Sequence, residues 1–340
     1  MTAELDTSGL PRLPARDGAG HKGTFGTVAV IGGSCGGGTM MLGAPVLSAR
    51  GALRSGAGLV KLVMPEPLLA SGLSMLPSAT GIVLPVDGGG EIVAHEAAGV
   101  VDRVLKQASC VVVGPGLGAD QGLSRGVEAT VLRVLQQDAV AVVVDADALT
   151  AMGRVPELWR DFHAPAILTP HPGEFRRLAD SLGLTLDAID KATRPSAAAE
   201  LAQRLGCVVV LKGAGTIVSD GLRVWRCERG HACLGTAGTG DVLAGLLGGL
   251  IAQYYNHAQS AMRARLGSRV PAGAPPLLSL YDLARIAVEV HARCGEAWAA
   301  ANAPAGLLAP ELADLVPGEL ARLNEPRASA SGSCVPAKGA

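Results

Sequence analysis

Aromatic residues are scarce in this chain, at 3% of its length. Its core must therefore be built from Val, Leu, Ile and Ala, and 49% hydrophobic residues are enough to build one. An excess of charge is also missing. The 29 Lys and Arg against 30 Asp and Glu leave a net charge of −1. Nothing in that balance draws the chain to nucleic acid or to an anionic membrane. No apolar run is long enough to span a bilayer. The first twenty residues, MTAELDTSGLPRLPARDGAG, have no apolar signal-peptide region. A cytoplasmic protein is the expectation. The seven cysteines at 35, 110, 207, 227, 233, 294 and 334 are odd in number and form no CxxC. That pattern gives neither a disulfide framework nor a zinc site. There is no HExxH and no GxxxxGK[ST], so no metal held by protein ligands and no Walker loop is expected.

The 340 residues are within reach of one large α/β domain. Residues 1–22 read as an arm or a disordered leader, 23–324 as the domain, and 325–340 as a disordered tail of low complexity. Within the domain, short apolar runs predict strands at Thr27–Ile31, Gly58–Met64, Cys110–Val113, Ala139–Val144 and Ala166–Leu168, a weaker one at 81–86, and one in CVVVL before Lys212. Thr216–Ser219 and Leu222–Arg226, joined by Asp220-Gly221, predict a hairpin. Helices are expected over 39–55 (despite Pro45), around Val127–Leu135, from Glu174 to Ala179, over 197–205, 281–301 and 311–323. Residues 254–278 are Arg-, Ala- and Pro-rich and read as a surface insertion. Uniformly apolar strands alternating with helices mean βα units and a mainly parallel sheet with helices on both faces. Ligands of such sheets sit beyond the carboxyl ends of the strands. That rule puts GGSCGGG, GPGLG, DADAL, TPHPGE and LKGAG on one rim.

A sixth segment joins them: GTAGTGDVLAGLLGGLIAQ, residues 235–253. Gly238, Thr239 and Gly240 form a slim turn, and Val242, Leu243, Leu246, Leu247, Leu250 and Ile251 repeat at helical spacing. A Gly-rich turn opening a helix leaves N–H groups free at the positive end of the helix dipole, which suits a phosphate. Asp241 beside it is either an N-cap or the acceptor of a proton from a hydroxyl attacking phosphorus.

Other rim residues carry two readings each. GPGLG with Ala119 fits a G-x-G-x-x-A dinucleotide fingerprint, with Asp145 downstream, or is only a tight turn. Lys212 is a phosphate or ribose contact or a plain strand-end lysine. Asp145 and Asp147 read as magnesium-linked, as helix caps or as residues shaping the site. His171, bracketed by prolines in TPHPGE, reads as a ligand contact, and Glu174 as a helix N-terminal charge or an outer partner of magnesium. Gly36–Gly38 is a flap or a flexible turn.

In their order, HKGTFG, GALRSGAG, GPGLG, DADAL, LTPHPGE, VVLKGAGT and GTGDVLAG resemble the NAD(P)H-hydrate dehydratase family of the ribokinase-like superfamily, over roughly residues 21–253 and 279–323. LTPHPGE together with GTGDVLAG is the specific part. The resemblance implies a ribokinase-like fold and ADP-dependent dehydration of hydrated NADH or NADPH, with ATP as the donor in some members. A phosphoryl group would pass to the ring hydroxyl and then leave as phosphate. It implies Asp241 as the catalytic group that contacts the substrate hydroxyl, with Ala44, Gly116 and His171 also contacting the hydrated cofactor. The turn Gly238, Thr239 and Gly240 would be the anion hole. Lys212, Gly213, Ala214, Gly215, Thr216 and Gly240 would hold the adenine nucleotide. Mg2+ would ride on its phosphates. A homo-oligomer, and an epimerase supplied by another polypeptide, are also implied. Two departures stand out. Ala237 replaces the first Gly of the family's GGTGD, and SCGGGTMMLGAP has no Tyr before Gly43-Ala44-Pro45. Three other readings share these motifs: a vitamin-precursor kinase of the same superfamily, an NAD-dependent dehydrogenase built on GPGLG, and a nucleotide-binding protein without catalysis.

Overall fold

A computed structural model describes residues 3–118, 124–256 and 278–325. Ala119, nearly all of the 254–278 insertion and nearly all of the 325–340 tail lie outside the described residues. Ten strands form one sheet: β1 (Glu4–Leu5), β2 (Thr27–Ile31), β3 (Leu59–Pro65), β4 (Thr80–Leu84), β5 (Cys110–Val113), β6 (Ala141–Val144), β7 (Ala166–Leu168), β8 (Val208–Leu211), β9 (Ile217–Ser219) and β10 (Arg223–Arg226). Their order is β1-β10-β9-β8-β7-β6-β5-β2-β3-β4. Every pairing is parallel except those of β9, which runs against both β8 and β10. The expected 216–226 hairpin is thus antiparallel, turned at Gly221 with φ +87°.

The strands bury both faces, which is why they read as unbroken apolar runs. Side chains alternate between two cores. Val28, Val30, Cys110, Val112, Val143 and Val210 face one layer, made of α1 (Gly43–Arg54), α2 (Glu66–Met75), α8 (Thr239–Tyr254), α9 (Leu280–Ala301) and α10 (Ala309–Asn324). Their neighbours Ala29, Ile31, Val111, Val113, Val144 and Val209 face the other, made of α3 (Ala94–Leu105), α4 (Arg125–Leu135), α5 (Asp147–Met152), α6 (Pro172–Leu182) and α7 (Arg194–Leu205).

The helix expected over 39–55 begins four residues later, at Gly43. The residues before it are drawn into a hairpin by the bridge between Ser34 and Met41. Pro45 then falls in the first turn of α1, where a missing N–H costs nothing. Residues 3–16 lie along the body. β1 extends the sheet, Asp6 pairs with the buried Arg285 at 3.0 Å, and the Leu13 amide donates to Asn324 at 3.0 Å.

What places the start of α8 is its contact with α1. A Cβ on Gly245 would lie 1.8 Å from the Ser48 carbonyl oxygen, and one on Gly51 would lie 2.5 Å from that of Val242. The two backbones meet directly, and only glycine allows it. Gly245→Ala should therefore force the helices apart and destabilise the fold by about 2–3 kcal/mol. Gly318→Ala, in α10 with nothing within 4 Å of the added Cβ, should stabilise it by about 0.5–1 kcal/mol. Urea midpoints of the two variants check both signs.

Candidate active site

Three neighbouring strands end at the rim within reach of one another. β8 delivers Lys212, whose Nζ lies 2.8 Å from Asp145 Oδ1 at the end of β6 and 3.7 Å from Glu174 Oε2 beyond β7. Thr169 Oγ1 donates to the same Asp145 oxygen at 2.6 Å, and the Lys212 amide donates to the Pro170 carbonyl at 2.8 Å. Asp145 therefore shapes the site and caps nothing, since α5 starts at Asp147 and its N-cap, Ala146, offers no side-chain cap. Asp147 also turns inward, taking the Gly118 amide at 2.7 Å.

His171 is the N-cap of α6. Its Nδ1 accepts the Gly173 amide at 2.9 Å, and Glu174 closes a capping box on the His171 amide at 2.7 Å. Glu174 is thus the helix N-terminal charge the sequence suggested, and it faces Lys212 as well. Burial pushes Glu174 up to about 7; Lys212 opposes this and Asp145 adds to it. Burial works against the charge of Lys212, but Asp145, Glu174 and Asp241 outweigh it and raise its pKa.

The GTGD turn stands beside this cluster. Gly238 is the N-cap of α8 with φ +91°, and a Cβ there would lie 2.6 Å from Leu47 Cδ1. Asp241 is three residues further on, in the first turn of the helix. The N-cap reading of Asp241 is therefore set aside, because glycine holds that position. The amides of Gly240 and Asp241 have no backbone acceptor among the described residues, so donors remain at the positive end of the helix. Ala237, the departure from GGTGD, is exposed and outside the positive-φ region, so its methyl adds no strain. Burial pushes Asp241 up to about 7. Asp145, Asp147 and Glu174 add to the rise and Lys212 opposes it.

Next to the turn lies a cavity of about 660 Å³. Lys212, Gly213, Ala214, Gly215, Thr216 and Gly240, the six residues picked from the sequence for a nucleotide, all line it together with Thr239. Loop 227–235 and the α9 residues Val288, His291 and Ala292 form its far side. Ala44, Gly116, His171, Gly238 and Asp241 are not on this lining. Ala44 and Gly116 meet each other instead, a Cβ on Gly116 falling 3.4 Å from that of Ala44. They make a second patch of the rim. Asp241 is tied to that side through its carbonyl, which takes the Ser48 hydroxyl of α1 at 2.9 Å.

Two supports were not picked from the sequence. His291 Nε2 meets the Thr239 carbonyl at 2.9 Å. A carbonyl only accepts, so that nitrogen carries the hydrogen. Burial pushes the ring down to about 4, so it stays neutral and braces the turn. Arg194, also buried, donates Nη2 to the carbonyls of Leu211 and Lys212 at 3.1 Å each. It lies against Gly213, where a Cβ would be 2.6 Å from Nη1.

GPGLG does not behave as a dinucleotide fingerprint. The next described helix, α4, starts at Arg125 with its own cap, Ser124, and Ala119 of the fingerprint lies outside the described residues. A Cβ on Gly114 would lie 1.8 Å from the Asp145 carbonyl oxygen, so this glycine serves strand packing, and Asp145 is engaged by Lys212. The Gly36–Gly38 loop is pinned rather than free, with Cys35 Sγ donating to the Gly90 carbonyl at 3.6 Å. Among the described residues, no three of His, Cys, Asp and Glu are grouped to hold a metal ion.

This sheet, with a glycine turn and a carboxylate at the head of a buried helix, is that of the ribokinase-like class. A ribokinase-like superfamily protein of Enterococcus faecalis V583 superposes with a TM-score of 0.65 over 92% of each chain, at 22% identity. The chain itself belongs to the NAD(P)H-hydrate dehydratase family, whose model matches residues 28–318. The ADP-dependent (S)-NAD(P)H-hydrate dehydratase of Bacillus subtilis is 31% identical over 90% of this chain and 92% of its own length. The crystal structure of the ADP/ATP-dependent enzyme of that species, grown with ATP and Mg2+, has a TM-score of 0.67 at 30% identity, covering 92% of this chain and 95% of that one. The bifunctional NAD(P)H-hydrate repair enzyme of Salinibacter ruber is 33% identical over 89% of this chain. The chain spans only 50% of that relative's length.

Asp241 holds its proton more tightly when folded than at its ordinary pKa of 3.8. Folding stability therefore falls as pH rises from 3.8 to about 7, and is flat in this respect above. Asp241→Asn has no charge to bury. It should gain on the parent chain through that window, reaching about 1–3 kcal/mol at pH 8. Urea midpoints across the pH range measure it, and a pH-independent difference would contradict the raised pKa.

Proposed function

We propose that this chain restores NADH and NADPH from their hydrated forms, driven by ADP. The observation that carries the reading is Asp241, a carboxylate that binds a proton near neutrality beside unbonded amides and Lys212. The named activity of the Bacillus subtilis relative, which matches nearly end to end, supplies the substrates.

On this reading the adenine nucleotide fills the cavity, with its phosphates toward Lys212, Thr239 and Gly240. The hydrated nicotinamide approaches from the side of Ala44, Gly116 and His171. Asp241 accepts the proton of the ring hydroxyl as its oxygen attacks the terminal phosphorus of ADP. The P–O bond to AMP breaks, and Lys212 and the helix amides hold the charge that develops. The new phosphoester then leaves as phosphate while a ring proton is lost, and the double bond returns. Mg2+, when bound, neutralises charge on the phosphates. The surplus of carboxylate around Lys212 fits a divalent cation that enters with them. No described helix is long and apolar enough to cross a membrane. The proposal extends to a cytoplasmic homo-oligomer.

Hydrated NADH supplied with ADP and Mg2+ should regain dihydronicotinamide absorbance only when the nucleotide is present. A phosphorylated product that accumulates would point to a kinase, and nucleotide binding without turnover to an inactive protein. Asp241→Asn should lower kcat by about 10²–10⁴-fold while ADP affinity stays within about threefold. Because the base must be ionised, kcat/KM of the parent chain should fall as pH drops through about 7.

A further inference from the structure

The far wall of the cavity is built separately from the phosphate end. Loop 227–235 is clasped to α9 by two carboxylates two helical turns apart. Glu289 forms an ion pair with Arg229 Nε at 2.9 Å and accepts Arg293 Nε at 2.8 Å. Glu296 accepts Arg229 Nη1 at 2.9 Å and the Gly230 amide at 2.9 Å. Lower down, Cys233 Sγ donates to the Gly295 carbonyl at 3.3 Å, and Leu234 fills the space that a side chain at 295 would need. None of these bonds reaches Lys212 or Asp241.

Arg229 is held at the centre of the clasp and lines the cavity. Two of its three nitrogens are bound to carboxylates, and Nη2 has no acceptor among the described residues. The flanking carboxylates cancel its charge locally, so it is poorly placed to attract phosphate, a task Lys212 and the helix amides already meet. What remains is a plane held by two carboxylates, with one donor edge on the cavity wall built by loop 227–235. That shape suits a flat heterocycle with acceptor nitrogens, or the hydroxyls of a ribose. The apolar neighbours Val288 and Ala292 suit the same ring.

We propose that Arg229, fixed by Glu289 and Glu296, grips the base-and-ribose end of the nucleotide, and that its planar fork rather than its charge provides the affinity. This rests on the reading of the cavity as a nucleotide site and deepens it. The pinned fork matters because a guanidinium that is already immobile loses little side-chain entropy when it binds.

The test is calorimetry with ADP and Mg2+ on the intact chain, which needs no turnover. Arg229→Ala should weaken ADP binding about tenfold. Arg229→Lys, which keeps the charge and loses the fork, should weaken it to within about threefold of the Ala variant. Glu296→Gln, which loosens the clasp, should fall between the parent chain and Arg229→Ala. Affinity within twofold of the parent in Arg229→Ala, or full restoration by Lys, overturns the proposal. Melting temperatures are taken alongside, and if Arg229→Ala does not fold, Arg229→Lys and Glu296→Gln decide by the same criteria. A parent chain that binds no ADP removes the nucleotide reading and this inference together. One that binds ADP without dehydrating the hydrate removes only the proposed reaction.

Discussion

One ammonium group among carboxylates organises the site. Lys212 reaches Asp145 at 2.8 Å and Glu174 at 3.7 Å, with Asp241 close enough to raise its pKa. A single positive charge cannot satisfy that many negative ones in a partly dry pocket. Burial first, and the neighbouring negative charge after it, push both Glu174 and Asp241 up to about 7. Asp145 takes both the Thr169 hydroxyl and the ammonium. The cluster exists only because β6, β7 and β8 are sheet neighbours whose ends fall in register.

The helix that brings Asp241 to this cluster is located by glycine. Gly51 and Gly245 let α1 and α8 touch backbone to backbone, and Gly249 lets α8 pass Ser55 and Ala52. The slim contact sets how far the head of α8 projects over the rim. Gly238 then turns the chain in a conformation that side chains avoid, and His291 and Thr239 brace it from the cavity side. Position and electrostatics are thus supplied by different residues: glycines place the carboxylate, and charges set its proton affinity.

Much of this was legible in the sequence because it is local. Val-rich runs buried on both faces announce themselves as parallel strands, and the residues just after them fall on the ligand rim by topology alone. That rule put LKGAG with Lys212, and TPHPGE with Glu174, on the rim, while the assignment of the six cavity residues to a nucleotide came from the family resemblance. The supports did not, because each comes from an element remote in sequence. His291 sits mid-helix in α9, one polar residue among many. Arg194 opens α7 and looks like a surface residue, yet it is buried under the Lys212 turn. Asp145 resembled a cap since an aspartate before a helix usually is one. Here the strained Ala146, at φ +49°, takes that position and turns the carboxylate to Lys212. α2 and α3 were not read from the sequence, although Ala97, Val100, Val101 and Val104 of α3 recur at helical spacing.

The same surplus of negative charge that costs stability is what suits the pocket to phosphoryl chemistry. A carboxylate of ordinary pKa would be too weak a base for a sugar-like or ring hydroxyl near neutrality, while one raised to about 7 is ionised there and strong enough to matter. An apolar pocket alone could raise the pKa, but it would not welcome a cation. On the proposed mechanism, carboxylates around Asp241 do both, raising its proton affinity and suiting a divalent ion that arrives with the nucleotide.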